Sequence, residues 1–111
     1  MTRFAGESRP TLILAASDYS RRHRIALYGD EITIGRDPDD GVFLADLTVS
    51  PHHATLHRTP EGYMLKDGGS LTGTYVNGAR VEQRLLSDGD EVRIGRYRLA
   101  YQAAKTSRGG P

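Results

Sequence analysis

Turn-forming residues break the chain at short intervals, and this punctuation constrains the fold more than any other feature. The breaks are Gly29-Asp30, Asp37-Pro38-Asp39-Asp40-Gly41, Pro60-Glu61-Gly62, Asp67-Gly68-Gly69-Ser70, Asn77-Gly78 and Ser87-Asp88-Gly89-Asp90. Glycine reaches backbone angles closed to other residues, proline presets φ, and Asn and Asp bond their own backbone. No segment between the breaks keeps a helical period over the ~10 residues a helix needs. What remains are short β-prone runs at 11–16, 23–28, 31–34, 42–44, 54–58, 63–66, 75–76, 91–94 and 98–102. Several alternate, as in Tyr63 and Leu65 against Met64 and Lys66, or Val92 and Ile94 against Arg93. Many short strands with frequent turns predict an all-β sandwich or barrel. Pro60-Glu61-Gly62 and Asn77-Gly78 read as hairpin turns.

A chain of 111 residues fits one domain with one modest core. The ends carry no pattern, so the domain is expected over 11–103, with disordered tails at 1–10 and 104–111. There is no cysteine, which excludes disulfides and thiolate metal sites. No apolar run nears the ~20 residues that span a bilayer. The first ten residues include Arg3, Glu7 and Arg9 and lack the apolar core of a secretory signal. These features predict a soluble, cytoplasmic monomer with no membrane contact. The formal charge of +1 gives no global field to attract nucleic acid. Two local clusters, Arg21-Arg22-His23-Arg24 and Asp37, Asp39 and Asp40, read as solvated surface.

Catalytic and metal signatures are missing. No glycine-rich loop leads into Lys-Ser or Lys-Thr, and there is no His-Glu-x-x-His. His53 and His57 on a strand would lie roughly 13 Å apart, too far to share a zinc. His52 and His53, if extended, would face opposite ways. Ser50 and His53 lack a third orienting group for nucleophilic catalysis. The expectation is a non-enzymatic protein with no cofactor and no metal.

Four motifs occur in order. They are Gly35-Arg36, Ser50-Pro51-His52-His53-Ala54, Ser70-Leu71-Thr72-Gly73-Thr74-Tyr75-Val76-Asn77-Gly78, and Leu86-Ser87-Asp88-Gly89-Asp90-Glu91-Val92-Arg93-Ile94-Gly95. The series, from about Thr11 to Gln102, resembles the forkhead-associated (FHA) domain family, most of all small bacterial FHA proteins linked to Ser/Thr kinases. The resemblance implies a β-sandwich of two twisted, mostly antiparallel sheets whose loops at one end bind a phosphothreonine peptide. It implies that Arg36 pairs with the phosphate, that Ser50 donates its hydroxyl, and that Pro51, Leu71 and Thr72 lie at the peptide. Gly35, His53, Gly73 and Asn77 would be structural at that site, His53 as a brace between loops. The implied partner is a phosphothreonine-containing protein or a Ser/Thr kinase. The physics agrees: phosphothreonine brings about −1.5 to −2 charge and three acceptors, and arginine a planar fork of donors.

Two positions depart from the family pattern. Position 72 is usually Asn, and position 51 is commonly Arg or another polar residue. Pro51 has neither a backbone N–H nor a polar side chain, and the Thr72 hydroxyl is shorter than a carboxamide. The sequence therefore predicts weakened or atypical phosphate recognition, with phosphate-independent docking as the alternative.

Overall fold

Alternating buried and exposed positions turn the short runs into eleven strands. The computed structural model describes residues 9–15 and 22–104. The strands are β1 (Thr11–Ala15), β2 (Arg22–Ala26), β3 (Glu31–Gly35), β4 (Val42–Phe43), β5 (Ala54–Thr59), β6 (Gly62–Asp67), β7 (Thr74–Val76), β8 (Ala79–Arg80), β9 (Gln83–Leu85), β10 (Glu91–Ile94) and β11 (Tyr97–Gln102). They form a six-stranded sheet, β2-β1-β11-β10-β7-β8, and a five-stranded sheet, β4-β3-β5-β6-β9. Pairing is antiparallel except between β3 and β4. This is the all-β sandwich the turn spacing predicts.

The core lies between the sheets. Leu12, Val76, Val92, Ile94, Leu99 and Tyr101 come from one, and Ile34, Ala54, Leu56, Tyr63 and Leu65 from the other. Each fully buried leucine, isoleucine or valine contributes roughly 1.5–3 kcal/mol of transfer free energy. β8 and β9 were not visible as strand patterns. Their residues are all exposed, so no alternation marks them; pairing with β7 and β6 makes them strands. β2 begins one residue earlier than expected and ends at Ala26. Of the expected tails, 1–8 and 105–111 lie outside the described residues, as do Ala16 and Arg21. Arg9 and Pro10 are tied to the domain: Pro10 O accepts from Leu27 N at 2.8 Å, and the Arg9 guanidinium lies 4.1 Å from the Tyr28 ring centre.

Both hairpin turns form where read. Thr59 pairs with Gly62 around Pro60-Glu61. Asn77 and Gly78 have φ of 51° and 86°, positive at both central positions as a type I′ turn requires. Asn77 also clamps β10: its Nδ2 donates to Asp90 Oδ1 and its Oδ1 accepts from Glu91 N, both at 2.9 Å. Replacing Asn77 with alanine removes both bonds and strains the left-handed backbone. The expected loss is on the order of 1–2 kcal/mol, a fall in melting temperature of roughly 4–8 °C per kcal/mol for a domain this size. Asn77→Gly keeps the turn and should fall less. Thermal melts followed by circular dichroism check both, and an unchanged Asn77→Ala midpoint would refute the clamp.

Candidate functional site

Four connections meet at one end of the sandwich: β3–β4, β4–β5, β6–β7 and β10–β11. Arg36 follows β3 there, and its own backbone and side chain hold the β4–β5 loop. Arg36 N donates to Ser50 O at 3.1 Å, and Nε donates to Val49 O at 2.8 Å. The Nε bond fixes the plane of an exposed guanidinium, whose terminal NH2 groups meet no acceptor among the described residues. Ser50 sits beside it. Its Oγ accepts from Leu71 N at 3.0 Å, which leaves the hydroxyl proton free to donate.

His53 joins the two sheets. It is fully buried. Its Nδ1 accepts from Ser50 N at 3.0 Å, so the ring proton sits on Nε2 and donates to Gly73 O at 2.8 Å. One imidazole thus couples the loop carrying Ser50 to the loop carrying Leu71 and Thr72. The same geometry leaves Ser50 without a catalytic base, because the histidine meets its backbone nitrogen and not its hydroxyl.

Gly35 is fixed by crowding. A methyl group there would run into the Asp40 carboxylate and the backbone nitrogen of His53, the latter at 2.8 Å. Asp40 was expected at the surface with Asp37 and Asp39, but it is buried. Its Oδ2 accepts from Asp37 N and His52 N, both at 3.0 Å, and its Oδ1 meets His52 Nδ1 at 2.5 Å. Burial pushes this carboxyl up, but the bonds from His52, Thr33 and Asp37 outweigh it and hold the group below the usual range. The Asp40 carboxylate in turn raises the affinity of His52 for a proton. His52 is not extended as the sequence suggested: its φ is 50°, and the backbone bond to Asp40 holds that turn.

Asp67 does the same for the β6–β7 loop. It accepts from Gly69 N at 2.9 Å, Ser70 N at 3.1 Å, Ser70 Oγ at 2.6 Å and Thr74 Oγ1 at 2.7 Å. Burial raises its carboxyl, and these donors more than reverse the effect. Ser70 Oγ accepts from Gly73 N at 3.0 Å. On the far side, Asp46 Oδ2 takes both Thr48 N and the Thr48 hydroxyl. Thr48 Oγ1 accepts from Arg96 N at 3.0 Å, and Thr48 O accepts from the Thr72 hydroxyl at 3.1 Å.

The structure therefore gathers Gly35, Arg36, Ser50, Pro51, His53, Leu71, Thr72 and Gly73 at one end. It does not bring Asn77 there. Asn77 lies past the other end of the three-residue strand β7, about 10 Å along the sheet, bound to Asp90. Asp40, Asp67, Asp46, Thr48, Ser70 and His52 were not read from the sequence as site residues. Asp67 and Asp40 stand beside glycines in turn signals, which marks them as turn residues but not as buried acceptors. Among the described residues, no group of three or more His, Asp or Glu side chains is placed to hold a metal ion.

The Asp67 donors set a pH dependence. A carboxyl held below its ordinary value in the folded state stabilises that state above about pH 4, and the contribution is lost as pH falls through the folded value. Asp67→Asn should melt below wild type at neutral pH, with the gap narrowing in acid. Melting curves from about pH 7 to pH 2.5 check this, and a gap constant with pH would exclude it.

Comparison with known proteins bears on this geometry. Residues 32–95 match the family model of the FHA domain. The chain is 44% identical over 78 residues to the oxoglutarate dehydrogenase inhibitor of Corynebacterium jeikeium, covering 70% of this chain and 54% of that protein. It is 46% identical over 67 residues to the glycogen accumulation regulator GarA of Mycolicibacterium smegmatis, covering 60% of this chain and 42% of that one. It thus spans about half the length of these relatives or less. Among solved structures, the FHA domain of FhaA complexed with the intracellular domain of Rv3910 superposes with a TM-score of 0.70 at 32% identity, over 82% of this chain and 99% of that one. A structure solved for phosphothreonine-dependent FHA domain interactions gives 0.70 at 31% identity, over 83% and 95%. With the family model matching residues 32–95, more than half of the chain and strands of both sheets, the chain belongs to the forkhead-associated (FHA) domain family.

Proposed function

We propose that this chain is a phosphothreonine-peptide-binding module that docks onto a phosphoprotein or Ser/Thr kinase in bacterial kinase signalling. One observation carries the reading: the Arg36 guanidinium is pinned through Nε beside the donating hydroxyl of Ser50. A guanidinium so held can offer its terminal N–H groups to phosphate oxygens with little further loss of freedom. The Ser50 proton supplies another donor, and the loop around both is rigidified by His53, Asp40 and Asp67. The relatives point the same way, one in phosphothreonine-dependent interactions and another as a regulator. The protein acts by docking, without catalysis or cofactor, as a cytoplasmic monomer.

The grip is weaker than the fold allows. Pro51 brings no donor. The Thr72 hydroxyl is spent on Thr48 O, and Leu71 N is spent on Ser50 Oγ. Each missing bond to a charged group costs about 1.5–3 kcal/mol, against ~1.4 kcal/mol per tenfold in affinity. A second reading, docking without phosphate, draws on Leu47 and Leu71, each 89% exposed on the site loops.

Titration with phosphothreonine peptides and their unphosphorylated forms separates the two. Arg36→Ala should abolish phosphate-dependent binding and leave folding intact, with only the modest loss in melting temperature that the missing bond to Val49 O brings. Arg36→Lys should restore it poorly, since a point charge does not replace a fork. Unchanged affinity in Arg36→Ala would reject the phosphate site. Restoring donors should strengthen binding: Pro51→Arg and Thr72→Asn should each gain on the order of 1 kcal/mol, and roughly tenfold in affinity together. The gain should be confined to phosphorylated peptides and shrink in high salt. A wild type already as tight as the double variant would show that other groups supply the donors.

A further inference from the structure

The outer face of the six-stranded sheet carries a row of arginines that the phosphate site does not use. Directly paired residues share a face, and the registers give one transverse row: Arg22, Ala15, Arg98, Arg93, Tyr75 and Arg80. Their inward neighbours Leu99, Val92, Ile94 and Val76 are buried, and the four arginines are exposed. Arg24 stands in the next row, and Glu91 is the one acid on these strands facing the same way. The face thus holds a net formal +4 in a chain whose total is +1, so the remainder is net acidic. The outer face of the other sheet has no such bias; its rows read Glu31, His57, Met64, Leu85 and Thr33, Thr55, Lys66, Gln83.

This arrangement costs the fold something. Arg93 and Arg98 stand directly opposite each other, and like charges so placed destabilise a sheet. Relief is partial: Arg93 lies 4.6 Å from the centre of the Tyr75 ring, and Arg98 Nη1 is 3.9 Å from Glu91. Arg22 and Arg80 have no carboxylate within ion-pair distance among the described residues. The row is also continuous with the candidate site. Tyr75 and Arg93 line one cleft with Thr72, Thr48 and Gly73.

We infer that this face is a second docking surface, and that its occupant is an extended acidic polypeptide segment rich in Asp and Glu. Six strands about 4.8 Å apart make a row of roughly 24 Å, the length of about seven extended residues. Guanidinium groups along it match carboxylates in pairs, and the alanine and isoleucine positions between them leave room for a main chain. A polypeptide is favoured over nucleic acid because the row runs into the cleft at Thr48, Thr72 and Gly73, on the loops of the proposed peptide site, while a net charge of +1 gives no global field to draw in a polyphosphate. The surface adds to the phosphothreonine reading and does not depend on it.

A fluorescein-labelled ten-residue peptide of alternating Asp and Glu, without phosphate, is the probe. At about 50 mM salt, wild type should bind it, and affinity should fall at least fivefold in Arg93→Gln/Arg98→Gln and by a similar factor at about 300 mM salt. Arg36→Ala should bind it as wild type does, which separates this surface from the phosphate site. Arg24→Gln/Arg80→Gln, on other strands, should weaken it too and guards against a folding defect in the first pair. Absence of binding, affinity unchanged from wild type in both double variants, or loss in Arg36→Ala would overturn the proposal. So would tighter binding, through the same arginines, of a ten-nucleotide oligodeoxythymidine.

Discussion

The two hydrogen bonds of His53 hold the functional end of this molecule together. A sandwich is rigid in its strands, but its loops need separate constraint, and the loop bearing Ser50 and the loop bearing Leu71 and Thr72 lead into strands of opposite sheets. His53 is buried, takes the Ser50 amide on Nδ1 and gives its proton to the Gly73 carbonyl. Each bond satisfies a backbone group that would otherwise lack a partner in a water-poor interior, where an unpaired polar group costs about 1–3 kcal/mol. The imidazole fits because it accepts at one nitrogen and donates at the other, on two edges of a short rigid ring. Neither a carboxylate nor an ammonium offers both roles at once.

Around that brace, three carboxylates organise loops by collecting amide donors. Asp40 takes the amides of Asp37 and His52, Asp67 those of Gly69 and Ser70, and Asp46 that of Thr48. Such loops cannot use sheet pairing for their N–H groups, so side-chain oxygens stand in. The consequence for function is that donors facing outward are separated from donors consumed inward. Arg36 and Ser50 keep protons that no described residue takes. Leu71 N, His52 N and the Thr72 hydroxyl do not. On the proposed reading, selectivity depends as much on where the site's own hydrogen bonds go as on which residues line it.

How much of this could be read from the sequence follows the range of the interactions. The hairpin at Asn77-Gly78 was legible because positive φ is a local demand that few residues meet. The strands at 63–66 and 91–94 were legible because burial on one face writes an alternation. β8 and β9 were not, since both their faces are exposed and only their partners make them strands. At the site, Arg36, Ser50 and His53 were legible through the resemblance of an ordered motif set. Asp40 looked like one of three surface acids, because nothing in its neighbours reveals that its carboxylate packs against Gly35 and takes the amide of His52, twelve residues further on. Asn77 was assigned to the site by its place in a motif, whereas the direction of β7 carries it away.

The charge distribution completes the physical account. Under the two proposals made above, an anchor at Arg36 and Ser50, short of donors, gives little affinity by itself, and a flat basic face gives little specificity by itself. Joined through the cleft between Thr72 and Arg93, they divide the work. The guanidiniums on the sheet act over about a Debye length, ~8–10 Å at ordinary ionic strength, and raise the rate of encounter with an anionic segment. The pinned Arg36 then discriminates among anions by geometry, because a fork held in one plane favours the oxygens of a phosphate over a lone carboxylate. Two weak contacts on one polypeptide combine through effective concentration, since the second is made within the complex formed by the first. A module built this way needs no extra donor at position 51 or 72 to hold a partner that carries both a phosphothreonine and an acidic stretch. On that reading the partner leaves once the phosphate is removed, because the sheet contact alone is screened by salt.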